Sequence, residues 1–261
     1  MLCKNLKSGA LWNGVIQKEM IVVKNASKMG ASEVMDELES LGAEQTRKTY
    51  RRHGATEPIF GVSFANLEKL KKKLKVDQDL AQKLWATGNH DARILAMMIA
   101  DPQLCTEELV ERWAQDLTNY TLTDALVGLV GRTPFAQAKA EVWSRSDNEW
   151  MGSAGWQLLG HLALHDAALP DAYFTKQLAR IEQEIHTRKN RVRYAMNNTL
   201  ITIGVRNAAL EPEARAVAQR IGKVEVDHGE TNCKTPDAVA YIQKTLAYRQ
   251  KKAATKLQEV G

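Results

Sequence analysis

From Gly30 onward, apolar residues recur every three or four positions and almost never alternate. That is the period of helices with one buried face. Leu67, Leu70 and Leu74 form one stripe with lysines opposite, which predicts a helix over Asn66–Leu74 preceded by Ser63. The same reading gives Ser32–Leu41 ending at Gly42, a helix opening at Asp77 and closed by Gly88, and His90–Ala100 stopped at Asp101-Pro102. Thr106–Leu117 starts with a hydroxyl cap and two acids. Leu117–Val130, Pro134–Ser144, Asn148–Leu164, Asp171–His186, Arg191–Ile203, Glu211–Ile221 and Pro236–Lys251 follow. Lys223–Val226 is the only tempting strand. About a dozen helices of roughly 10–16 residues joined by short turns read as helix pairs stacked into an array. A degenerate cadence of LAQKLW, LVERWA and AKAEVW, about 30 residues apart, supports repeats, although periodicity alone also fits an all-helical bundle.

One segment breaks its own pattern. Leu117–Val130, LTNYTLTDALVGLV, sets Tyr120 and Asp124 one helical turn apart on an otherwise apolar run, so the two share a face. Burying an unpaired carboxylate is expensive. Either Asp124 accepts a hydrogen bond from a neighbouring helix while Tyr120 packs, or the pair faces a cleft where negative charge is useful.

Composition adds little against this frame. The 261 residues carry 36 Lys+Arg and 31 Asp+Glu, a formal net charge of +5, compatible with a polyanionic partner without requiring one. Cys3, Cys105 and Cys233 are odd in number and far apart, so they make neither a disulfide framework nor a metal set, and a reducing, cytoplasmic setting is expected. No apolar run is long enough to span a membrane. Residues 1–29 lack helical periodicity and signal-peptide character; they read as a loosely ordered extension, with Met20 or Met29 as alternative starts, ahead of a single domain over residues 30–261.

Three basic clusters, Arg47–Arg52, Lys69–Lys75 and Lys176–Arg193, are ordinarily solvated helix faces, yet on a curved array they would line one groove. Arg51, Arg52, His53, Arg191 and Arg193 are the expected phosphate contacts. The stretch Lys244–Lys256 reads as a basic, frayed helix end. Gly222–Asp237 is the least repeat-like part; one His and one Cys there make no metal set, and it reads as a structural loop that leaves Lys234 and Thr235 open to an anion. Trp85, Trp113, Trp143 and Trp156 fit core stripes, leaving Trp150 as the tryptophan to test in a groove.

The run from Tyr50 to Pro102 resembles the AlkD-like DNA alkylation-repair family of the HEAT-like repeat DNA glycosylase superfamily. The matching elements are Gly61-Val62, the lysine-rich Leu67–Leu74, Leu80–Trp85 and Asp91–Ala96, followed later by Ala195–Asn207, so that the similarity spans roughly residues 33–210. The resemblance implies an all-α, right-handed superhelical array of HEAT-like antiparallel helix pairs, curved around a basic groove for double-stranded, damaged DNA. It implies a monomer with no cofactor and no metal, associated with the nucleoid. It also implies excision of N3- or N7-alkylated purines, with Asp124 as the catalytic carboxylate and Tyr120, Trp150 and Asn198 as lesion or sugar contacts. A cationic alkylated base is already a good leaving group, so one ionised carboxylate that steadies the sugar and positions water is enough, and an electron-rich ring favours the lesion. Two family features are missing: Trp150 is followed by Met151, Gly152 and Ser153 where the family has W-x-x-R, and Asn198 and Ile201 replace a Trp and an Arg. The alternatives are therefore a non-catalytic DNA-structure-binding scaffold on the same fold, or a repeat protein that binds another protein.

Overall fold

The computed structural model describes residues 29–258; the expected extension lies outside these residues except for Met29, which packs against the core. Among the described residues there are thirteen helices and no strand beyond one isolated bridge, Gly42 with Val62. The helices are α1 (Ala31–Ser40), α2 (Glu44–Arg52), α3 (Phe64–Leu74), α4 (Gln78–Ala86), α5 (His90–Ile99), α6 (Glu107–Gln115) and α7 (Tyr120–Val130). They continue as α8 (Ala136–Trp143), α9 (Glu149–His165), α10 (Asp171–Glu184), α11 (Asn190–Gly204), α12 (Leu210–Ile221) and α13 (Ala238–Gln258).

From α4 onward the helices form two rows. Each even-numbered helix packs on the odd-numbered one after it, and α5, α7, α9, α11 and α13 pack side by side as one row. The sequence makes both rows by repeating two signals. The outer helices α4, α6 and α8 bury Trp85, Trp113 and Trp143 near their ends. Trp85 stacks on Trp113 with centroids 4.5 Å apart, and Trp143 donates its Nε1–H to Glu111 on α6 at 2.9 Å. The inner helices α5, α7 and α9 each begin at an asparagine, Asn89, Asn119 or Asn148, whose Oδ1 accepts two first-turn N–H groups. Such a cap satisfies donors that a helix start otherwise leaves open, contributing about 1 kcal/mol each. Between α8 and α9 the backbones touch at Gly155, where any Cβ would collide with the backbone of Trp143 and Ser144.

Of the first three helices, α1 and α3 share the array's core through Val34, Leu38, Leu67 and Leu70, and one carboxylate ties down the turn between α2 and α3. Asp91, fully buried in α5, accepts N–H bonds from Phe60 (2.8 Å), Gly61 (3.1 Å) and Val62 (2.7 Å). Gly61 adopts φ +82°, and a side chain there would also strike Ala43 and Arg47. Beside it, Tyr50 donates to the Val62 carbonyl at 2.6 Å and packs on His90. Thr121 donates its hydroxyl to the cap oxygen of Asn119, so the 2.9 Å contact with His90 Nε2 makes that nitrogen the donor, leaving Nδ1 buried without a partner. Burial lowers the His90 pKa, consistent with a neutral ring.

Three local expectations change. Glu44–Arg52 is a helix although it buries only Tyr50 and so carries almost no apolar stripe. Lys223–Val226 is not a strand, because no neighbouring segment offers a ladder. The Lys244–Lys256 stretch belongs to α13, which runs to Gln258, with Ile242 fully buried and Arg249 donating to the Val205 carbonyl at 2.5 Å.

Replacing Asp91 with Ala strands three backbone donors and is expected to destabilise the protein by about 3–5 kcal/mol, with Asp91→Asn costing less because one acceptor oxygen survives. Urea unfolding monitored by circular dichroism measures both; equal, small losses would show that the 60–62 turn does not depend on the carboxylate.

Candidate functional site

The inner row presents polar stripes on helices that are otherwise apolar. On α7 these are Tyr120 and Asp124; on α9, Gln157, His161 and His165; on α11, Arg191, Tyr194, Asn198 and Thr202. Spacings of three and four residues put each set on one face. The three faces converge on a cavity of about 450 Å³, completed by His53 at the end of α2 and by His228, Thr231 and Cys233 from the segment between α12 and α13. Four of the chain's six histidines line it.

Arg191 sits at the centre. Its guanidinium lies over the rings of Tyr120 (5.2 Å) and Tyr194 (4.9 Å), and its Nε is buried without a hydrogen-bond partner. Among the described residues no carboxylate lies within ion-pair distance of it. The helix start holds it in place: α11 has no side-chain cap of its own, and Glu149 of α9 accepts the Arg191 backbone N–H at 2.7 Å instead. His53 meets the edge of Tyr120 at 5.2 Å and His228 the edge of Tyr194 at 5.4 Å, closing an aromatic collar around the cation.

Asp124 is exposed to solvent at the cavity, which the side chains of α9 and α11 wall on the other side. That enclosure pushes its carboxyl up to about 6, against the pull of Gln157 and Arg191 toward the ionised form. Burial lowers the pKa values of His53, His161 and His228; Arg52 and Arg191 add to the shift at His53, His165 at His161, and Arg191 at His228. At neutral pH these groups give a guanidinium, an ionised carboxylate and neutral imidazoles. Such a set binds an anion beside a group able to order a water.

The expected site residues distribute unevenly. Tyr120, Asp124, His53, Arg191 and Asn198 meet in the cavity. Trp150 does not line it; it is half-buried against the core in the first turn of α9. Lys234 lines an adjacent cavity with Asn197 and Asp237, and the Asn197 amide donates to the Pro236 carbonyl, so Asn197 turns away from Asn198. Arg51 is bonded to Glu57 at 2.6 Å and lies near Glu44, while Arg52 is exposed and Arg193 half-buried. Within the Lys176–Arg193 cluster, Arg180 and Arg188 pair with Glu184, and Arg188 donates to the Ser146 carbonyl. Sequence reasoning missed Gln157, His161, His165, Tyr194, His228 and Cys233. The 157–161–165 stripe on an apolar helix was a usable signal of the same kind as Tyr120 and Asp124.

Because folding raises the Asp124 pKa, ionisation costs stability: the cost begins above the unfolded value near 3.8 and is complete above about 6. Asp124→Asn removes it. The melting temperature of the variant relative to the parent should therefore climb between those two pH values and level off beyond them; a difference that stays constant in melts across the window would refute the raised pKa.

Comparison with known proteins adds a lineage to this geometry. The sequence model of a family described as "DNA alkylation repair enzyme" matches residues 34–242. The uncharacterized protein Lmo0209 of Listeria monocytogenes is 34% identical over 214 residues, covering 80% of this chain and 93% of the relative. Lin0241 of Listeria innocua is 33% identical over 214 residues with the same coverage. A solved structure, described as "a new family of proteins related to the HEAT-like repeat DNA glycosylases with affinity for branched DNA structures", superposes with a TM-score of 0.77 at 36% identity, covering 84% of this chain and 95% of its own.

Proposed function

We infer the function from one premise, that this chain belongs to the DNA alkylation repair enzyme family, with an all-α fold of HEAT-like helix pairs. The reading supported best is a DNA-binding protein that takes a phosphate of the backbone at Arg191 and holds the adjoining sugar over the Asp124 cavity. One observation carries it: a guanidinium clasped by Tyr120 and Tyr194, without a carboxylate in ion-pair distance, at an open cavity. A cation kept by ring faces rather than by an acid retains its attraction for an incoming anion. The affinity for branched DNA described for the structural relative makes irregular or branched duplexes the first substrates to try.

Hydrolysis of the glycosidic bond of an alkylated purine is a second reading, favoured by the solvent-facing Asp124 carboxylate. It would proceed by departure of the cationic base as a neutral purine, with Asp124 steadying the sugar cation and taking a proton from the attacking water. One face of Tyr120 is already covered by Arg191, so a cationic lesion would have to displace that side chain or approach elsewhere.

Arg191→Ala should weaken DNA binding about tenfold and reduce the dependence of log K on log salt by about 1, as expected for one lost phosphate contact. Fluorescence anisotropy over a salt series measures both, and unchanged affinity and slope would remove the cavity from the interface. For the second reading, release of 7-methylguanine from methylated DNA should rise as pH passes about 6 and vanish in Asp124→Asn; no release from the parent protein rejects it.

A further inference from the structure

Part of the array's positive charge is matched by acids. Lys71 pairs with Glu68, Lys73 with Glu37, Lys139 with Glu107 and Glu111, and Arg220 with Glu182. Residues 29–237 as a whole hold 26 Lys+Arg against 29 Asp+Glu, so the array is slightly acidic. The terminal helix α13 is the opposite: it contains five Lys and Arg residues and no acid.

Its residues divide by face. Ala238, Ile242 and Leu246 pack on the array, next to α11 and α12. The sequence here is a direct repeat, Tyr241-Ile-Gln-Lys244 and Tyr248-Arg-Gln-Lys251, whose Tyr and Lys positions lie outside the packed face. Seven residues are close to two full turns, so the two Tyr-x-x-Lys units share one face about 10 Å apart along the axis. Tyr241 is 51% exposed and Tyr248 66% exposed. Neither ring meets another ring, and Lys244, Lys251 and Lys252 have no ion-pair partner among the described residues.

We propose that this face of α13 binds single-stranded DNA, each tyrosine stacking on an unpaired base and the lysine one turn on taking a phosphate. Charge complementarity selects a polyanion, and exposed rings alternating with cations select one whose bases are free to stack. Bases within a duplex already stack on each other, so the rings gain nothing from intact double helix. The segment leading into α13 contributes His228, Thr231 and Cys233 to the Arg191 cavity, so the two surfaces are consecutive along the chain. The inference rests on the DNA-binding reading above and adds the kind of DNA that the protein prefers: a duplex that opens into an unpaired arm.

The test compares the full chain on a blunt duplex and on the same duplex with a single-stranded tail. Tyr241→Ala/Tyr248→Ala should bind the tailed probe at least about thirtyfold more weakly and the blunt probe as the parent does. Lys244→Ala/Lys251→Ala should lower the salt slope on the tailed probe by about 1.4, as expected for two single-strand phosphates. Both pairs lie on the exposed face, and unchanged thermal melts establish that the variants are folded. Parental affinity of the tyrosine variant for the tailed probe overturns the proposal, as does an equal loss on both probes. If tyrosine substitution instead abolishes self-association in sedimentation while DNA affinity is unchanged, the face is a protein contact and the proposal falls. Arg191→Ala separates the two ideas: weakening by that change with no effect of the α13 variants leaves the cavity reading standing alone, whereas a parent protein that binds neither probe defeats both.

Discussion

One buried carboxylate holds the turn between α2 and α3 against the helical array. Asp91 projects from the first turn of α5 and gathers the N–H groups of Phe60, Gly61 and Val62, which otherwise would have no partner in a region without sheet. Through that turn it fixes the end of the 54–62 connection, and Tyr50 fixes the start through its bond to Val62. His53 lies between them, and its contact with Tyr120 makes α2 one wall of the cavity. Without this fastening the solenoid would still have its Trp-packed outer row and its capped inner row, but the cavity would lose a side.

The inner row shows how a helical array makes a site without an enclosed pocket. Its helices are apolar on the sides that meet their neighbours, and each gives up a narrow stripe to polar groups facing outward. The stripes cooperate because side-by-side packing brings them into register: Asp124, Gln157 and Arg191 come from three successive inner helices, α7, α9 and α11. Glu149 is the least conspicuous part of this arrangement. By completing the start of α11 from the neighbouring helix, it couples the position of Arg191 to the packing of α9 against α11.

Much of this architecture is readable from the residues. The Trp cadence marks the outer helices α4, α6 and α8, each of which buries one large ring, and Tyr120 with Asp124 announced a polar stripe on an apolar helix. The asparagines at 89, 119 and 148 carried the inner register just as openly. Less was legible wherever the deciding partner is distant in sequence. Asp91 looks like an ordinary first-turn acid until the 60–62 turn lies over it. Lys73 looks like a phosphate ligand until folding supplies Glu37. The helix Glu44–Arg52 escaped because tertiary contacts at Tyr50, not an apolar stripe, hold it.

The separation of charge between α13 and the rest of the array has a consequence for motion. A slightly acidic array with a cationic terminal helix has an electric dipole, so the field of a polyanion would exert a torque on it in addition to attracting its net charge. At physiological ionic strength that torque acts only over roughly the last 8 Å of approach. On a polyanionic ligand the molecule would therefore arrive oriented, helix first, and the cavity would meet that ligand as the second event of the encounter.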